Sequence, residues 1–334
     1  MINESSSDLW LERSTFAGEF IGGVAYGIHV AIFGATLYFM TRPSASGRIS
    51  KTFFALACAL FTLGTITVSA KTKFYQLMWI DNRDIPGGPP SWILNHYNNP
   101  VETLADASYI TANFLADGAL IYRLYVVWNN NLLIIIVPVL GFLASTAFSI
   151  LTLFQSERPG ANLWTHTTVQ FAVPYWSMTI AINATMTLAI AYRLLSMRRR
   201  VTSTLGAEHA RMYTSVAAMI VESAAVYSVT GLAFIICYAR HSNVQNLILP
   251  ILDQVVCIAP ELILLRVACG RAWTRKTSSS IMGPHETLGI RKGGANNVTN
   301  LFNTSTGTTL NHSRNSSDFS VHIDAEKQAM ESIV

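Results

Sequence analysis

Residues 132–154 read LLIIIVPVLGFLASTAFSILTLF, 23 consecutive residues without one charged side chain. The hydrocarbon core of a bilayer is ~30 Å thick, and a helix crosses it with about 20 apolar residues. A strand of a membrane barrel is shorter and alternates apolar with polar residues. A helix satisfies every backbone hydrogen bond within itself, as lipid demands. This stretch is therefore predicted to span a membrane as a helix.

Outward from it, six further runs meet the same test, at about 17–40, 50–70, 102–127, 169–195, 213–238 and 245–269. Only Trp128-Asn129-Asn130-Asn131 separates the third span from the fourth, and three successive asparagines read as a tight turn. Composition agrees: 51% of the chain is hydrophobic and 13% charged, whereas soluble chains carry roughly 25% charged residues. The expected fold is all-α, a polytopic membrane bundle of seven transmembrane helices. Its expected parts are an extracellular segment 1–16, a transmembrane domain 17–276 and a disordered cytoplasmic tail 277–334. The tail is rich in Ser, Thr, Asn and Gly and has no apolar periodicity. Its N-x-S/T matches at Asn297, Asn303, Asn311 and Asn315 read as chance in such a composition, and Asn3 is the match on the outer side. The first residues lack the basic region and cleavage site of a signal peptide.

Lysine and arginine near the spans set the orientation. One side carries Arg42, Arg48, Lys51, Arg123, Arg193, Arg198, Arg199, Arg200, Arg211, Arg266, Arg271, Arg275 and Lys276. The other carries Arg13, Lys71, Lys73, Arg83, Arg158 and Arg240. Thirteen against six puts the first group in the cytoplasm and the N-terminus outside. Arg198, Arg199 and Arg200 form the strongest anchor. The small net charge of +4 sits in loops, which reads as topology and not as a nucleic-acid surface.

The outer loop 71–101 contains Pro86-Gly87-Gly88-Pro89-Pro90, which predicts turns and no regular helix. Aromatic residues on both sides of it read as an interfacial belt lying on the membrane face.

Ionisable groups inside a span cost about 2.5–3.5 kcal/mol each at the helix centre on insertion scales, so they should face the bundle and find partners. The candidates are Asp106, Asn113, Asp117, Asn183, Glu222, Asp253, Gln254 and Glu261. Asp106, Asn113 and Asp117 fall on one stripe of the third span. By depth, Asp117, Asn183, Glu222 and Glu261 fall into one layer. Two readings fit this layer. One is a hydrogen-bonded network that fixes helix packing. The other is an ion- or proton-coupled switch, for which Pro250 and Pro260 would free backbone carbonyls in the seventh span. Arg123 and Arg266, near inner span ends, are expected to snorkel to headgroups or to hold Asp117 or Glu261 in an interhelical ion pair.

Several chemistries are missing. Every lysine is expected outside the spans, so no buried amine is available for a Schiff base. His29 is the single histidine in a span and is expected to be a packed, hydrogen-bonded residue. The four cysteines, Cys58, Cys237, Cys257 and Cys269, lie in or at the ends of apolar runs, which leaves no loop disulfide framework and no zinc ribbon. Cys269, beside basic residues, is a palmitoylation candidate or a plain buried thiol. No hydrolase, metalloprotease or P-loop motif occurs. The chain is expected to be no enzyme and to need no cofactor or metal.

Three stretches together carry a resemblance: Asp81-Asn82-Arg83 followed by Pro86-Gly87-Gly88-Pro89, the run from Asp117 to Trp128, and the run from Ile258 to Ala272. Over residues 17 to 276 the chain is similar to a large group of seven-span integral membrane proteins of basidiomycete fungi. The resemblance implies fold and topology. A looser likeness, to G-protein-coupled receptors, rests on Arg123 and Tyr125 at the inner end of the third span. There Tyr122 stands where those receptors have an acid, and the seventh span has no Asn-Pro-x-x-Tyr.

The expected function is a receptor-like seven-helix sensor of a small or lipidic ligand. Its partners would be the bilayer and a cytosolic signalling protein at the 193–212 loop and the tail, with no nucleic acid. The plasma membrane is the default location. A proton- or ion-coupled transporter or channel and a purely structural membrane protein are the alternatives.

Overall fold

Asparagines start two of the helices. Asn99 accepts a hydrogen bond from the Val101 amide (3.0 Å), and Pro100 follows in the first turn, where its missing N–H is no loss. Asn131 accepts likewise from the Leu133 amide (3.1 Å). Just before it, Asn129 and Asn130 have φ of 54° and 60°, a left-handed conformation that asparagine tolerates better than most residues. The Asn129–Asn131 turn thus ends one helix and caps the next.

The computed structural model describes residues 6–41, 51–205 and 207–281. Its helices are α1 (Ser6–Thr41), α2 (Lys51–Gln76), α3 (Gly88–Asn95), α4 (Pro100–Val127), α5 (Leu132–Ser156), α6 (His166–Leu205), α7 (Ala207–Ala239) and α8 (Gln245–Ile281). A π-helical turn, Leu77–Asp81, extends α2. Seven of these helices, all but α3, are long and apolar enough to cross a membrane, and no strand occurs among the described residues. The chain is a multi-pass helical membrane protein. Leu133, Val137, Leu140 and Phe154 on α5, with Phe16, Phe20 and Val24 on α1, point away from the bundle, as lipid-facing side chains do.

The helices outrun the expected spans. α1 begins at Ser6, inside the segment expected to be a free N-terminal stretch. α2 continues through Lys71 and Lys73. α6 reaches Leu205 and α7 begins at Ala207, so most of the expected 193–212 loop is helix. α8 runs to Ile281, into the expected tail. Hydropathy marks where lipid ends, whereas Arg, Met, Ala, Leu and Glu continue a helix into water. Residues 1–5 with Asn3, Arg42, Arg48, the side chain of Arg200, and 282–334 with their four N-x-S/T matches lie outside the described residues.

α4 stands at the centre and packs on α2, α5, α6 and α8, while α1 lies along α8 and α6 along α7. Gly18 and Gly64 permit close approach. A Cβ on Gly18 would lie 2.0 Å from the Asn246 carbonyl oxygen, and one on Gly64 would lie 2.8 Å from His29 Cε1.

The outer loop departs from its expected form. Gly87 (φ 86°) turns the chain, and Gly88, Pro89 and Pro90 then form the first turn of α3. Proline is excluded from helix interiors but not from first turns. The aromatic residues are no belt either. Trp92, Ile93 and Tyr97 are buried in one core with Phe74, Met78 and Trp176. α3 is a folded cap on one end of the bundle, called here the α3 face. The opposite end, with Arg193, Arg198, Arg199 and Arg266, is the basic face. A second core, formed by Leu124, Val127, Met186, Ile190 and Leu194, lies toward it.

Candidate functional site: three buried polar clusters

At the α3 face, α2 and α4 are joined by charge. The Lys71 ammonium pairs with Glu102 and donates to Asp106 Oδ1 at 2.8 Å. Tyr97 donates to Asp106 Oδ2 at 3.2 Å. Thr103 donates to Glu157 at the end of α5, and Thr72 donates to Glu19 on α1 (2.8 Å). Tyr97 and Glu157 lie outside the spans, and burial raises both of their pKa values. Lys71, expected in an outer loop, instead continues α2 past the expected span and is held against the bundle with its side chain 12% exposed.

The second cluster lies deeper, on the same face of α4. Asn113 donates to the hydroxyls of Tyr175 (3.0 Å) and Thr179 (3.2 Å). Tyr227 donates to Asn113 Oδ1 (3.4 Å), and Thr179 donates to Asp117 Oδ2 (2.7 Å). Beyond Asp117 a cavity of about 30 Å³ opens between α4, α6, α7 and α8, room for about two waters. Among the described residues, Asp117 Oδ1, Arg123 Nε, Asn183 Oδ1 and Thr187 Oγ1 are buried without a hydrogen-bond partner, and all four residues line this cavity. Arg123 is 5% exposed and makes no ion pair among the described residues. It neither snorkels nor pairs with Asp117.

The third cluster faces the other way from α8, toward α1 and α2. His29 Nδ1 lies 2.9 Å from Gln254 Oε1, and Gln254 Nε2 donates to the Gly64 carbonyl at 3.4 Å. That second bond fixes the amide, so Oε1 must accept and His29 Nδ1 must carry its hydrogen. His29 Nε2 then faces Glu261 at 3.3 Å, with both side chains fully buried.

The sequence-predicted residues therefore separate. Asn113, Asp117 and Asn183 come together, Asp106 belongs to the α3 face, and Gln254 and Glu261 belong with His29. Asp253 lies at the α3 face beside Lys71 and Glu19. The expected layer is broken by Glu222, whose exposed side chain bonds Arg266 at 2.7 Å. Depth alone gave no rotation about α7; burial does. Arg198 and Arg199 are exposed at the basic face. Cys269 is half-buried. Sequence reasoning missed Lys71 and Glu19, which stand at span ends, and Tyr175, Thr179 and Tyr227, which read as ordinary span residues. No protein-family model, curated protein or solved structure matches the chain.

Proposed function

We propose that the chain is a receptor-like seven-helix sensor, non-enzymatic, with its α3 face outside and its basic face in the cytosol. A small or lipidic ligand acts at the α3 face, and a cytosolic partner or anionic lipid meets the arginines of α6. The observation that carries this reading is the polar stripe of α4. One helix holds Glu102 and Asp106 at the α3 face, Asn113 and Asp117 in mid-bundle and unpaired Arg123 toward the basic face. A shift of α4 at one end is thereby felt at the other, which is what a sensor needs. Placement in the plasma membrane, and among the seven-span proteins of basidiomycete fungi, belongs to the same proposal.

Ion- or proton-coupled transport is the rival, favoured by the four unpartnered polar atoms around the inner cavity. Purified protein in vesicles separates the two. The sensor reading expects ligand-dependent recruitment of a cytosolic partner with no flux. Proton or solute flux that disappears in Asp117→Asn would sink it.

A further inference from the structure

A second cavity, also about 30 Å³, opens at the α3 face between α1, α2 and α8. Glu19, Thr67, Lys71, Tyr75, Pro250 and Asp253 line it. Asp253 is 7% exposed, yet it accepts no hydrogen bond and has no cation within ion-pair distance among the described residues. The nearby ammonium is already taken, since Lys71 is held by Glu102 and Asp106. Glu102 Oε2, on the far side of Lys71, is itself buried without a partner. Four carboxyl groups, of Glu19, Glu102, Asp106 and Asp253, thus share one ammonium. A buried carboxylate without a hydrogen bond or counter-ion is strongly unfavourable, and it is relieved by a proton or by a cation beside it.

We propose that this cavity binds a small monovalent cation, an alkali-metal ion or a short ammonium, between Asp253 and Glu19. The small volume favours a small ion over a bulky ligand head. Among the described residues no three His, Cys, Asp or Glu side chains are grouped to hold a metal ion. Two carboxylates, with waters completing the shell, suit a hard monovalent cation, and the lining offers no imidazole or thiol for a transition metal. The proposal rests on the sensor reading only for its consequence, a ligand chemistry for the α3 face.

The test unfolds the full chain thermally in uncharged detergent, at mildly alkaline pH and fixed ionic strength. The salts are sodium, potassium, methylammonium and N-methylglucamine chloride, the last a cation too large for the cavity. At least one small cation is expected to raise Tm saturably over N-methylglucamine. Sodium or potassium doing so identifies an inorganic ion, and methylammonium alone identifies an ammonium ligand. Asp253→Asn is expected to weaken half-saturation about tenfold or more, and Glu19→Gln to weaken it less. Glu222→Gln, far from the cavity, should leave it unchanged. Equal Tm in all four salts, or a shift that survives both Asp253→Asn and Glu19→Gln, overturns the site. If Asp253→Asn does not fold, Glu19→Gln carries the comparison. Cation binding without partner recruitment would leave the site standing and remove the sensor reading.

Discussion

Gly64 has no room for a side chain, because His29 fills the space a Cβ would need. Gly64→Val should push His29 from Gln254 and Glu261 and destabilise the protein by about 1–3 kcal/mol, the usual range for overpacking. Gly23→Val is the matched control, since nothing lies within 4 Å of a Cβ there. Thermal unfolding of the two variants side by side checks this. The His29–Glu261 pair makes a second expectation at this scale. Either single change, His29→Leu or Glu261→Leu, leaves a buried polar group alone, whereas the double change removes both. The double variant should therefore be more stable than the two single losses added together, as a double-mutant cycle would measure. None of this pairing was legible in the sequence. A single histidine and a glutamate 232 positions apart share no periodicity, and their meeting depends on how α1 lies along α8.

At the scale of the element, α4 was the most legible helix. The spacing of Asp106, Asn113 and Asp117 placed them on one face before any packing was known, and Asn99-Pro100 marked its start. What spacing could not give was the partner of each group, because partners come from α2, α6, α7 and Tyr97 just before α4. Glu157 at the end of α5 shows how such a partner shapes titration. Burial raises its carboxyl pKa, against the opposing effect of the Thr103 hydroxyl that donates to it. The folded state thus holds the Glu157 proton more tightly than the unfolded chain. Its contribution to stability is complete below the ordinary carboxyl pKa and is lost as pH rises through the raised value. Glu157→Gln should flatten that part of the stability–pH curve, and an unchanged curve would show that Glu157 is not the group responsible. α3 illustrates the opposite case. Two prolines argued against a helix, yet both fall in its first turn, and only the burial of Trp92 and Ile93 explains why so short a helix holds.

Across the whole molecule, span number and fold class were legible because lipid imposes one simple rule, about 20 apolar residues per crossing. Helix ends were not legible, since the rule stops at the membrane surface and the helices do not. Orientation rests on the positive charge gathered at the basic face, with Lys71 no longer a dissenting outer charge, because two carboxylates neutralise it inside the bundle. The most direct measurement of the central claim is a glycosylation reporter inserted at either end of the bundle. Residue 160 suits the α3 face, because Gly160 lies in the loop between α5 and α6 with nothing within 4 Å of a Cβ. Position 206, between α6 and α7, serves the basic face. The reporter is expected to be modified at 160 and unmodified at 206. Modification at 206 and not at 160 would invert the protein in its membrane and contradict the proposed direction of signalling.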